Sequence, residues 1–260
     1  MSTAEDVLVS RPPRAAFGKL LACDARLTWR EPIGLVLGLA IPVVLLVVFG
    51  TISMAQHKAE PQLGGLTVIA VYIPILIAFS LGMLALFSLP RALVTYRELG
   101  ILRRLSTTPL PPSWVLAAQV VINFVLAVWA LIILVVGGAA AFGVAAPKNP
   151  AGFALAFLLA VAALFAMGLW IAAVARSATA ANAMAGVLFF PLVFFAGLWY
   201  PQQFMPAALR DVGQLTPLGA SVQALQTATQ GHFPPAGPLL VMAAYAVVFA
   251  VLAWRSFRWE

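Results

Sequence analysis

The chain has 260 residues, of which 63% are hydrophobic and 9% charged, with a formal net charge of +7. A soluble domain carries roughly 25% charged residues, so a mean hydropathy of +1.02 excludes a core built in water and makes lipid the main solvent. The pI near 10.3 does not indicate nucleic acid, because the basic residues never cluster with aromatic stacking platforms.

Residues 1–13 are polar and hold Pro12-Pro13, which predicts a loose tail. From Arg14 to Arg30, Phe17, Leu20, Leu21, Leu27 and Trp29 alternate with Arg14, Lys19, Arg26 and Arg30. That is the pattern of an amphipathic helix lying in a membrane interface, and Pro32 separates it from the first long apolar run. Cys23 lies here alone, so neither an internal disulfide nor a thiolate metal site is expected.

Six apolar windows come next, at about 33–54, 66–89, 114–142, 151–174, 180–198 and 239–254. About 20 residues of helix cross about 30 Å of hydrocarbon. Five windows reach or nearly reach that length, and the last must recruit its flanks. None contains a charged residue, so none carries the ~2.5–3.5 kcal/mol insertion penalty of a central Arg or Asp. The first window is too long for a signal-peptide core of about 7–15 residues, so the small residues near Ser53-Met54-Ala55 are not read as a cleavage site.

Twelve of the fifteen Lys and Arg residues fall on one side of this layout; Lys58, Lys148 and Arg210 fall on the other. Positive-inside charge then predicts both termini in the cytoplasm. The expected fold is an all-α integral membrane protein. It has an interfacial unit over 1–31 and a six-span unit over 32–260. The external stretch 199–238 is too apolar for a free loop and is punctuated by Pro201, Pro206 and Pro217, which predicts re-entrant helices before the last span.

Catalytic chemistry finds no foothold. His57 and His232 fall in loops without a paired carboxylate or cysteine, and no phosphate loop, metal-binding His motif or nucleophile elbow occurs. Nor do the spans hold a carboxylate, His or Lys to relay protons. No catalytic residue, metal or chain-bound cofactor is expected, and the energy for any transport should come from another polypeptide. Within the spans, Asn123 and Asn182 suit hydrogen bonds to neighbouring helices. Gly34 and Gly38 form a G-x-x-x-G that lets a partner helix approach. Phe189, Phe190, Phe194 and Phe195 offer either lipid-facing bulk or the wall of an apolar path.

The most informative stretch is the loop between the second and third spans. It reads Tyr96-Arg97-Glu98-Leu99-Gly100-Ile101-Leu102-Arg103-Arg104-Leu105-Ser106-Thr107-Thr108-Pro109 and continues Leu110-Pro111-Pro112. Ordinary positive-inside charge explains its arginines but not Glu98, Gly100 or the prolines. This stretch resembles the R-E-x-G-x-L-x-x-L-x-x-T-P signature of type-2 ATP-binding-cassette exporter permeases, in particular their drug-exporter branch. The external Phe195-Ala196-Gly197-Leu198-Trp199-Tyr200-Pro201, with Pro206 and Pro217-Leu218, resembles the family's segment after its fifth span, although Ala196 stands where Ser is common.

The resemblance implies a permease subunit in a bacterial plasma membrane, exporting a hydrophobic or amphipathic drug or lipid-like substrate, as in multidrug efflux and antibiotic resistance. A polymer exporter such as a polysaccharide permease, or an ATP-independent channel, is the alternative. It further implies two separate ATPase subunits carrying ATP and Mg, and a second permease copy or sister chain. An ATPase-coupling knob would comprise Arg97, Glu98, Gly100, Leu102, Arg103, Arg104, Thr108 and Pro109. The dimer face or path would use Gly34, Gly38, Asn182, Phe189, Phe190 and Phe194. The external re-entrant segment would turn on Gly197, Pro201, Pro206 and Pro217.

Overall fold

The computed structural model describes residues 18, 21, 36–56, 67–100 and 113–256. The expected interfacial helix is described only at Gly18 and Leu21, both helical, and Cys23 and His57 lie outside the described residues. Every regular element among the described residues is a helix.

We number them α1 (Ile41–Gln56), α2 (Val68–Glu98), α3 (Ser113–Phe142), α4 (Pro150–Val174), α5 (Ala178–Ala196), α6 (Ala207–Gln214), α7 (Pro217–Thr229) and α8 (Ala236–Ser256). A π-helical turn, Val36–Ala40, leads into α1. Helices α2, α3, α4, α5 and α8 are each long and apolar enough to cross a membrane, and α1 is a shorter apolar helix. The protein is thus a multi-pass, all-α membrane protein. Arg91, Arg97, Arg176 and Arg255 gather at one end of the bundle, where α2 and α8 finish and α4 turns into α5.

α2 is the axis of the fold. Nearly every residue from Ile69 to Leu86 is buried, and α1, α3, α4, α5 and α7 all pack on it. Two irregularities make that possible. Pro74 removes one backbone donor from α2, and close by the Gln226 amide of α7 donates to the Val71 carbonyl at 3.3 Å. The carbonyl that Pro74 leaves without its helical donor is that of Ala70, one residue earlier. Lower down, Leu84–Ser88 forms a π-turn. There the Ala85 carbonyl presses on Gly168 of α4, where a Cβ would sit 1.9 Å from the oxygen. Only a residue without a side chain lets the two backbones meet.

α7 fixes the nature of the external segment. At its start, Leu218 lies 3.3 Å from where a side chain on Gly82 would begin, midway along α2. At its end, Lys148 and Asn149 donate backbone N–H groups to the Thr229 and Ala228 carbonyls, beyond the far end of α3. α7 therefore fills only the half of the bundle away from the basic end. The segment after α5 enters from that far end and returns to it, as re-entrant helices do. It fills the space α5 leaves: with 19 residues α5 rises about 28 Å, against about 46 Å for α2 with 31 residues.

α8 lies mainly along α4, with Trp170 edge-on to Phe249 at 5.3 Å. Its outer face is exposed at Leu240, Val247, Val248, Val251 and Trp254. α3 likewise exposes Val121, Val125, Trp129, Ile132 and Val136, a spacing of three to four residues that forms one stripe for lipid.

Candidate functional site

α2 stops at Glu98, Leu99 caps it, and Gly100 follows at φ 65, a left-handed step that glycine takes without strain. The three residues before this break each grip a different helix. The Gln119 amide of α3 donates to the Tyr96 hydroxyl at 3.2 Å. Arg97 donates from Nη2 to the Ala172 carbonyl at 2.8 Å and from Nη1 to the Ala175 carbonyl at 3.2 Å. Glu98 Oε1 accepts the backbone N–H of Ala178 at 3.2 Å.

These contacts follow helix electrostatics. The last carbonyls of α4 are orphaned acceptors at the negative end of its dipole, where a guanidinium is favoured. The first N–H groups of α5 are orphaned donors at a positive end, where a carboxylate is favoured. Ser177 completes the α5 terminus, its hydroxyl accepting from Ala180 N at 3.1 Å. Successive helical residues point about 100° apart, so three in a row fan out to three neighbours. Arg97 and Glu98 therefore bind their own chain's α4–α5 turn. Of the remaining predicted knob residues, Gly100 ends the helix, and Leu102, Arg103, Arg104, Thr108 and Pro109 lie outside the described residues.

The predicted path and dimer residues separate. Gly38 is buried against Leu84, whose methyl lies 2.3 Å from where a Cβ would be, and its carbonyl accepts the Ser80 hydroxyl. Its close approach is thus made to α2 of the same chain; Gly34 lies outside the described residues. Phe189 is 1% exposed, wedged edge-on between Phe79 and Phe87 at 5.5 and 5.4 Å. Phe190 and Phe194, by contrast, are exposed with Val187 on the outer face of α5, whereas Asn182 is half-buried and projects on the Phe189–Val193 side of the helix. Asn123 is buried but donates to Gln119 O of its own helix at 2.9 Å, not to a neighbouring helix, and its Oδ1 has no partner.

At the far end Gly197 ends α5 at φ 95. Pro201 and Pro206 precede the short helix Gln202–Phe204 and α6, and Pro217 is the first residue of α7. Gln202, which sequence reasoning missed, ties this segment together. It is buried, and its Nε2 donates to Phe195 O at 2.8 Å and Gly219 O at 3.4 Å. Nothing local in the sequence marks Gln202. The Thr216-Pro217 pair did carry a signal, since a hydroxyl at the N-cap followed by proline opens a helix. Thr216 Oγ1 accepts Gly219 N at 3.1 Å. Among the described residues no three His, Cys, Asp or Glu side chains gather to hold a metal.

The family model for ABC-2 type transporters matches residues 16–229. The chain belongs to the ABC-2 type transporter family. No curated protein matches it. The match runs through α7 and stops before α8. As an ABC-2 membrane domain, the chain is a permease subunit of an ABC transporter and a transport component, not a catalyst in itself. Such domains generally work with ATPase subunits.

Proposed function

We propose that this ABC-2 permease is half of an ATP-driven exporter in a bacterial plasma membrane. In this reading the basic end is cytoplasmic, so both termini lie inside. Two cassette ATPases bind ATP and Mg, and a second copy or sister permease completes the path. The loop at 101–112, with Leu102, Arg103, Arg104, Thr108 and Pro109, docks on the ATPase, and Arg97 and Glu98 hold its root. The cargo is a hydrophobic or amphipathic drug or lipid-like molecule.

The observation that carries the cargo class is the outer face of α5, where Val187, Phe190 and Phe194 are 75%, 61% and 41% exposed. That face is apolar and uncharged, and it ends beneath the α6–α7 segment. A hydrated polymer needs hydrogen-bonding groups along its route; this stripe offers contact area instead.

The test is reconstitution in liposomes with a cassette ATPase subunit. ATP-dependent movement of an amphipathic dye or a labelled lipid is expected, with no hydrolysis by the permease alone. Equal flux without nucleotide overturns the pump in favour of a channel. ATP-dependent movement of a polymer but not of the dye or lipid overturns the cargo class.

A further inference from the structure

We infer that Tyr96, Arg97 and Glu98 are positioning residues: they form a clamp that ties the end of α2 to α3, α4 and α5, so that movement of that end reaches all three together. The inference rests on the ATP-driven pump proposed above, in which force enters beyond the end of α2.

Three observations carry it. First, the residues are consecutive and each reaches a different helix: Gln119 on α3, the carbonyls of Ala172 and Ala175 at the end of α4, and the N–H of Ala178 at the start of α5. Second, the clamp is the last turn of α2, which ends at Glu98 with Leu99 as its cap and Gly100 in the left-handed region. Third, Arg97 and Glu98 take backbone groups as partners. A helix terminus held by its backbone is displaced as a body, because its orphan N–H and C=O groups move with the whole cylinder. The Arg97 and Glu98 contacts sit on the two sides of the short Ala175–Ser177 turn. Motion of α2 therefore pulls α4 and α5 in step, and α5 presents the exposed apolar face to the proposed path.

The clamp makes a chemical distinction that an ATPase-facing ion pair does not. Accepting an N–H needs an oxygen, not a charge, so Glu98→Gln preserves the contact and Glu98→Ala removes it. Were Glu98 instead paired with a cation on the ATPase, neither variant would loosen the start of α5. For Arg97, Lys keeps a cation whose ammonium still donates to the α4 terminus, whereas Ala keeps neither charge nor donor.

The experiment uses the full permease with its ATPase subunits in nanodiscs. Two quantities are read: amide hydrogen exchange over residues 175–181, and dye transported per ATP hydrolysed. Glu98→Ala, which loses one hydrogen bond to a charged group, is expected to speed exchange there roughly tenfold, and Arg97→Ala, which loses two, at least as much. They should lower transport per ATP by a similar factor, within the range of coupling between distant sites. Glu98→Gln and Arg97→Lys should restore both readouts to within about threefold of wild type. Unchanged exchange in Glu98→Ala, or Gln as damaging as Ala, overturns the clamp. If the wild-type complex neither hydrolyses ATP nor moves dye, the proposed ATP-driven pump fails, and the exchange arm still decides whether the clamp holds α5.

Discussion

Gly168→Ala tests the packing at the centre of the fold. A Cβ at position 168 would lie 1.9 Å from the Ala85 oxygen and 3.0 Å from its carbonyl carbon, whereas real Cβ atoms essentially never come within 3.0 Å of another atom. Both contacts are backbone, so no rotamer change relieves them, and α4 must back away from α2 by about 1 Å. A gap of that size forfeits about a quarter to a half of the dispersion energy across it. Overpacking of a core costs about 1–3 kcal/mol, and a backbone clash belongs at the upper end. Against this, Ala gains about 1 kcal/mol over Gly in a helix. The net loss is about 2 kcal/mol. Gly137→Ala is the control, because its Cβ would meet only a Leu46 methyl at 3.5 Å; there the helix gain stands nearly alone and the variant should be more stable by up to about 1 kcal/mol. Denaturant unfolding in lipid–detergent micelles, followed by tryptophan fluorescence, measures both. A Gly168→Ala protein as stable as wild type would refute the close approach of α4 to the π-turn.

Two further predictions concern the external segment and the helix starts. Gln202→Ala strips the donor from two carbonyls beside a buried position and should destabilise the 197–216 stretch by about 1–3 kcal/mol; Gln202→Glu should be worse, since it sets acceptor against acceptor. Limited proteolysis within 197–216 reads both, and protection equal to wild type in the Glu variant contradicts the assignment. Thr216→Val keeps shape but loses the hydroxyl that caps α7, and Asn149→Ala loses the oxygen that accepts Gly152 N at 2.9 Å at the start of α4. Each should cost about 1 kcal/mol, with Thr216→Ser close to wild type, as measured by thermal unfolding.

The sequence made the spans legible because lipid leaves few choices. Uninterrupted apolar runs must become helices with internally satisfied backbones, and proline-broken apolar stretches between them must pack against protein. Much of the site could not be read this way. The charge pattern of Arg97-Glu98 is the same whether those groups face a partner or their own α4–α5 turn, and nothing in composition distinguishes the two. The π-turns and the Gly168 contact depend on where α4 crosses α2, which no local pattern encodes. Phe189 and Phe190 show the limit most sharply. They are identical neighbours in one helix, yet about 100° of helical rotation puts the first among Phe79, Phe87, Gly82 and Leu218 and the second outside at 61% exposure. A single α5 cannot bury both, so the cost of truncation must differ. Phe189→Ala leaves a ring-sized void between α2, α5 and α7 that rigid helices cannot collapse, costing about 3 kcal/mol or more. Phe190→Ala removes a side chain that packs chiefly on the surroundings and should stay within about 0.5 kcal/mol. Under the proposed function the order reverses for transport: at matched folded protein, Phe190→Ala should change dye transport more than Phe189→Ala. Equal destabilisation by the two variants would refute the rotation of α5, and with it the choice of face presented to the path.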